Sequence, residues 1–559
     1  LKNIKIINNY TANTLFDYSF DYHKPGLYGN DYFIHYRLNS VGLTVGDEKI
    51  NPTKIIWNAK KNHYPTVDNH NFPVYQLDKS VFSNVPFVGD FNGDGLSDVL
   101  IVPYKIQDTY PSDVDCKVYI NNGDGGFHAS PIAILRMSKF LEWIYLYDIN
   151  DDGKDDIISY ELESEDSDKV AVTFYIEKNG SFVKDEKHIF GRNVILLPGK
   201  FLENDDKGII FIEVCNENVG YRRIHYMRYV NGTLTRSEIA SGGINNRIAN
   251  YQTMDVSGDG INEIMVMYDD GYKIYNMKAN NGFSFALFLQ GNSVTKDAYP
   301  FPNDFNGDGK TDLLYYDPRN HWNMLFSKGN GFTQPLFCSN NYLFHNIVLS
   351  PQDRYRCSLQ EMQKPSITIR TGDFDGDGCA DVGVFKSMAG NYYVEMGFKP
   401  YIKPDEKCGF EREYRYYMPL NYSHQNIHIG RFLPQENISI LSNLPRQPYN
   451  SQKAYIASLY PHSAYYSVER IVDGMNNMRG FSYDYLMRND NAQDDFYTCS
   501  SDIIHGNVRR TSIPIPALKS DTVMNINNKP MITKYKYHNA MTHTKGRGVL
   551  GFERIIKDF

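Results

Sequence analysis

Asp90-Phe91-Asn92-Gly93-Asp94-Gly95-Leu96-Ser97-Asp98 sets oxygen-bearing side chains at positions 1, 3, 5 and 9 of a nine-residue frame, with glycine at position 6. The apolar run Val99-Leu100-Ile101-Val102 follows at once and reads as a buried strand. The same frame recurs from Asp148 to Asp156, from Asp255 to Glu263, from Asp304 to Asp312 and from Asp373 to Asp381. An apolar residue holds position 2 each time: Phe91, Ile149, Val256, Phe305 and Phe374. Two further stretches keep the frame but lose its charges. Lys200-Phe201 leads to Gly208-Ile209-Ile210-Phe211, and Arg431-Phe432 leads to Ser439-Ile440-Leu441.

The frames therefore begin at residues 90, 148, 200, 255, 304, 373 and 431, a little further apart than the roughly 40–50 residues of common propeller repeats. Asn122-Gly123, Asn179-Gly180, Asn231-Gly232, Asn281-Gly282 and Asn330-Gly331 punctuate the apolar runs as hairpin turns do. Short strands, hairpin turns and radial repetition predict an all-β fold, a seven-bladed β-propeller over residues 61–462. Residues 1–60 read as the β-rich end of a preceding domain, and residues 463–559 as a second β-rich segment.

Calcium takes six to eight oxygen ligands in a flexible cage. Side chains at positions 1, 3, 5 and 9 and the carbonyl at position 7 would supply them, and the glycine at position 6 permits the sharp turn. The expected ligands are Asp90, Asn92, Asp94, Leu96 and Asp98; Asp148, Asn150, Asp152, Lys154 and Asp156; Asp255, Ser257, Asp259, Ile261 and Glu263. The last two sets are Asp304, Asn306, Asp308, Lys310 and Asp312, then Asp373, Asp375, Asp377, Cys379 and Asp381. About five structural calcium ions are expected. Asp, Asn and Gly also form plain turns, yet carboxylates a few ångströms apart repel by roughly 1–4 kcal/mol per pair. Five repetitions of that arrangement call for a cation. The frame is not an EF-hand, because position 12 of the first copy is Ile101 and the flanks are strand-like. In the two depleted copies, Lys200 and Arg431 at position 1 suggest a tethered cation in place of the metal.

With 41% hydrophobic and 14% aromatic residues the 559-residue chain is globular, and its 44 Tyr and 32 Phe favour strands. The net charge of -8 argues against a nucleic-acid partner. Seven scattered cysteines without a C-x-x-C pair read as buried thiols rather than a zinc or redox site, with Cys338 and Cys357 as a candidate surface staple. No apolar run is long enough to span a bilayer, and the opening Leu1-Lys2-Asn3 carries no signal peptide, so the chain reads as a piece of a longer protein. G-x-S-x-G, H-E-x-x-H and P-loop patterns are lacking. His538 and His543 near Arg547 read as exposed loop histidines. Glu161, Glu163, Glu165, Asp166 and Asp168 read as a solvated loop, and Arg222-Arg223 and Arg509-Arg510 as surface charge.

These repeats resemble the FG-GAP/VCBS calcium-propeller repeats, also seen in integrin α-chains. The flanks sharpen the resemblance. Tyr36-Arg37-Leu38-Asn39-Ser40-Val41 and Asn51-Pro52-Thr53-Lys54-Ile55-Ile56-Trp57 look like the junction before the propeller in B components of insecticidal toxin complexes. Val468-Glu469-Arg470-Ile471-Val472-Asp473-Gly474, Phe481-Ser482-Tyr483-Asp484-Tyr485 and Lys545-Gly546-Arg547-Gly548-Val549-Leu550-Gly551-Phe552 are similar in order to the mid-domain of toxin B and RHS-type proteins. Val549 stands where that family's motif has an aromatic. The resemblance implies a secreted or cell-surface, non-enzymatic segment, whose propeller caps or gates a shell and docks a translocation partner. A calcium-dependent adhesion or glycan-binding propeller is the alternative, and a carbohydrate-active enzyme a third.

Overall fold

The computed structural model describes the chain except for residues 24–36, 58–68, 72–84, 104–111, 339–366, 419–426, 433–438, 443–454, 459–466, 487–495, 500–507 and shorter stretches elsewhere. The described residues are all-β, without a helix. Apart from the flanking sheet they form four separate four-stranded sheets, a five-stranded sheet and an eight-stranded sheet, antiparallel except for one parallel pairing in the last, and the four-stranded sheets give a propeller-like arrangement.

Each unit follows the nine-residue frame. One strand enters the frame and a second leaves it, as Val85–Gly89 and Asp98–Val102 do in the first unit, and two more strands, Val114–Tyr119 and Ala133–Met137, complete the sheet. The strand leaving the frame is buried along its whole length in Asp98–Val102, Glu263–Tyr268 and Asp312–Asp317. That explains why the sequence shows continuous apolar runs there and not alternation: these strands meet neighbours on both faces.

The cores lie between successive units. Val85, Leu100 and Cys116 of the first pack with Leu141, Ile144 and Ile157 of the second. Ile158 and Phe174 pack with Ile209 and Phe211 of the third. Met265 and Ile274 pack with Leu313 and Tyr315, and Leu314 and Trp322 with Val382 and Val384. Position 2 anchors every frame. Phe91, Ile149, Phe201, Val256, Phe305, Phe374 and Phe432 are each at most 1% exposed, so the two copies that lost their charges kept their hydrophobic plug.

The flanking segments, although hundreds of residues apart, join one sheet. Glu48–Trp57 pairs antiparallel with Val468–Val472, with Ile56 opposite Arg470 and Ile55 opposite Ile471. This places strands from both ends of the chain in an eleven-stranded sheet that curls into a nearly closed barrel. The indole of Trp57 donates to the Leu38 carbonyl, 2.9 Å away. Gly474 turns the chain between two of these strands against the Asn51 backbone, where a Cβ would lie 2.4 Å from the Asn51 carbonyl oxygen. No helix among the described residues is long and apolar enough to cross a membrane.

Some local readings change. His538 and His543 lie in the strand Pro530–His543, not in a loop, and His538 hydrogen-bonds Thr498 and, at 3.2 Å, Arg554. Glu161 is 1% exposed in the strand Asp156–Leu162, where Ser159 and Lys187 reach its carboxylate. It became part of the sheet because its carboxylate has these partners. Cys338 is fully buried beside Cys408, not at the surface, and Cys116, Cys379 and Cys408 are likewise buried free thiols. Cys357 lies outside the described residues, as do Glu165, Asp166 and Arg547.

Candidate metal loops

The frame folds the same way wherever it is described. The carboxylate at position 1 accepts the backbone N–H groups that follow it: Asp90 Oδ1 from Gly93 at 2.7 Å and Asp94 at 3.2 Å, and Oδ2 from Gly95 at 2.9 Å. Asp255 and Asp304 repeat this with Gly258, Asp259 and Gly260, and with Gly307, Asp308 and Gly309. Asp148 accepts from Asp152 and Gly153, and Asp373 from Gly378. Position 4 takes a positive φ, held by glycine at 93, 258 and 307, but by Asp151 at 63° in the second loop. Position 5 accepts the N–H of position 7, as in Leu96 to Asp94 at 2.7 Å. The residue type at position 7 varies, as Leu96, Lys154, Ile261, Lys310 and Cys379, because the bond to position 5 is made by its backbone N–H.

Position 9 ties the loop to its sheet. Asp98 Oδ2 accepts the Phe91 N–H at 2.8 Å and Oδ1 accepts the Asn121 N–H, also at 2.8 Å. Asp156 bridges Ile149 and Glu177, and Asp312 bridges Phe305 and Ser327. Glu263 and Asp381 accept from Val256 and Phe374. The third copy has Gly208 at this position, and the Tyr226 ring fills the space, 2.5 Å from where a Cβ would stand.

Several of these carboxyls are held above the usual carboxylate range, with burial the largest cause. Burial, then the neighbouring Asp94 charge, pushes Asp90 up to about 8. Asp98 is driven well above the usual carboxylate range by burial and by Asp90. Burial raises Asp156 to about 8, and Asp312 and Glu263 to about 7. An all-oxygen donor set anchored on a buried acid at position 9 fits a hard divalent cation. In the arrangement described, the amides of Asn92 and Asn150 turn an N–H to Asp94 and Asp152, so ligation through Oδ1 requires those amides to rotate. Among the described residues no three His, Cys, Asp or Glu side chains are gathered to hold an ion. Asp375 and Asp377 lie outside the described residues.

Position 8, which carries no ligand, makes a connection that the sequence reading missed. The Asp155 N–H donates to the Asp90 carbonyl of the preceding loop at 2.7 Å, and its Oδ2 accepts the Asp90 N–H at 2.9 Å. Asn262 clips Lys200, Thr311 clips Asp255, and Ser97 clips Arg431, each through the same two bonds. Ala380 keeps only the backbone half of its bond to Asp304, whose own N–H turns to Asn303. The available signal was an oxygen-bearing side chain at position 8, masked by the variety of residue types. Thr311→Val keeps the shape and removes the acceptor, so urea unfolding should show a loss of about 1–3 kcal/mol. Thr311→Ser should stay close to the parent, and an unchanged valine variant would refute the clip.

Residues 90–159 match the FG-GAP-like repeat family. No curated protein matches the chain. Among solved structures, a lectin of Agrocybe aegerita that specifically recognises non-reducing terminal N-acetylglucosamine is 15% identical with a TM-score of 0.40 and aligns over 67% of this chain and 87% of its own. The TcdB2-TccC3 structure without its hypervariable C-terminal region is 12% identical at a TM-score of 0.46, over 99% of this chain but 22% of its own. Rhamnogalacturonan lyase YesW is 12% identical at a TM-score of 0.41, over 76% of this chain and 80% of its own.

Proposed function

We propose that the chain is a calcium-stabilised, seven-bladed docking platform, a non-enzymatic segment of a secreted or cell-surface toxin-complex- or RHS-like protein. The observation that carries this reading is the pairing of Glu48–Trp57 with Val468–Val472. It makes the repeat region an insert mounted on a sheet built by both flanks, as a cap on a larger β-structure would be.

Seven blades are supported by the topology and by the clips. The eight-stranded sheet is joined at its middle by only two parallel pairs, Ile239 with Phe283 and Ala240 with Ser284. Divided there, it supplies two four-stranded blades. Asn69–Asn71 pairs with Tyr455–Ser458, so a strand preceding the first frame completes the last unit. The Ser97 clip on Arg431 joins the first loop to the seventh in the same way. The domain limits proposed are residues 1–60, 61–462 and 463–559.

The shell reading predicts that any coding sequence beyond Phe559 holds tandem Tyr-Asp repeats. A stop codon or a cell-wall anchor there would replace it with a surface adhesin. In a glycan array run with calcium, the platform reading expects no saturable binding. Calcium-dependent capture of one glycan class would move the assignment to a lectin-like propeller.

A further inference from the structure

One loop of the series is served by a cation from its neighbour. Lys207 occupies position 8 of the third, depleted frame, where other frames place a clip. Its Nζ lies 2.6 Å from Asp148 Oδ2 and 3.3 Å from Asp151 Oδ1. Asp148 is the first expected ligand of the second loop. Asp151 is the one non-glycine among the described position-4 residues of the intact loops, held at a φ of 63°. Both acids are buried, with side chains 7% and 6% exposed, and Lys207 is 32% exposed. The ammonium also lies 5.8 Å from the Tyr147 ring centroid. Two acidic side chains, one in a conformation that L-residues seldom adopt, therefore converge on one lysine.

We propose that Lys207 is the resident counter-ion of the second loop, which therefore holds a divalent cation more weakly than the loops beginning at Asp90 and Asp255. This rests on the calcium reading above. A carboxylate already bonded to an ammonium offers less negative charge to a second cation, and the two cations repel at short range. The depleted third frame thus keeps an electrostatic role: it has given up its own ligands and lends a charge to the loop before it. Sequence reading placed the compensating cation at Lys200. Lys207 Nζ reaches a carboxylate of the preceding loop, whereas Lys310 Nζ reaches Asp308 within its own loop at 3.0 Å.

Calcium titration by calorimetry, with melting curves in chelator, tests the assignment on the whole chain. The parent should show a weak class of site beside a tighter one. Lys207→Met should tighten the second loop's weak site on the order of tenfold or more, while melting lower than the parent in chelator and regaining the difference in calcium. Lys207→Arg, which keeps the charge, should retain the weak site. Asp151→Gly removes one arm of the grip and restores the glycine of the other loops, so it should tighten the site even if the methionine variant folds poorly. Uniform sites in the parent, or an isotherm that neither substitution changes, would overturn the Lys207 assignment alone. Absence of calcium binding in every variant would instead overturn the calcium reading on which it rests.

Discussion

Removing calcium is expected to lower the melting temperature by on the order of 10 °C or more, and the size of the drop should grow as the pH rises. A ligand that binds only the folded state contributes about 2.7 kcal/mol per site at one hundred times its Kd. Several sites add, and each kcal/mol moves the midpoint of a domain of 150–250 residues by roughly 2–4 °C. The pH dependence follows from the loop carboxyls. In the metal-free fold Asp90 and Asp156 titrate at about 8, and Asp312 and Glu263 at about 7, against about 4 in an unfolded chain. A folded-state pKa above the unfolded value contributes stability below about pH 4, and that contribution is lost as the pH rises through 7 to 8. The chelated protein should therefore melt progressively lower between pH 5 and pH 8. With saturating calcium the trend should flatten, because the ion replaces the protons that the buried carboxyls otherwise hold. Differential scanning calorimetry at pH 5, 6.5 and 8, with calcium or with chelator, measures both effects. Curves that overlap at every pH would remove calcium from the proposal.

The parts of this architecture that were legible in the sequence share one property: their signal is local. Position 2 is apolar in all seven frames because it plugs a core between units, and each copy announces it separately. The apolar runs after the frames are visible because those strands are buried on both faces. Pairings set by distant chain gave no such signal. Nothing near Trp57 or Val468 points to the other, and the three residues Asn69–Asn71 are too short and polar to read as a strand at all. Position 8 was hidden for another reason. Asp155, Asn262, Thr311 and Ser97 look unrelated as residue types, yet all place an oxygen within reach of the preceding loop's first N–H. Gly208 reads as a lost ligand until Tyr226 is seen in its space. In that copy the sheet replaced a buried carboxylate with an aromatic ring, which needs no counter-charge.

Asp98→Ala should be the most damaging single substitution in the first loop, with calcium present or absent. The carboxylate is fully buried and accepts two backbone N–H groups, those of Phe91 and Asn121. The first fixes the loop over its hydrophobic plug. The second fixes the far end of the strand Val114–Tyr119, beyond which Asn121 reaches across to the Phe432 carbonyl through its own amide. Deleting the carboxylate strands both donors, at about 1–3 kcal/mol each, so roughly 2–6 kcal/mol should be lost in chelator. In calcium the loss should be larger by the contribution of the site. Asp98→Asn separates the two roles. Its amide oxygen can satisfy one donor while its NH2 faces the other, so it should recover only part of the loss and still bind calcium weakly. Chemical denaturation of the three proteins, each with and without calcium, gives the comparison. If Asp98→Ala matched the parent in chelator, position 9 would be a metal ligand alone, and its bridge between loop and sheet would contribute nothing to the fold.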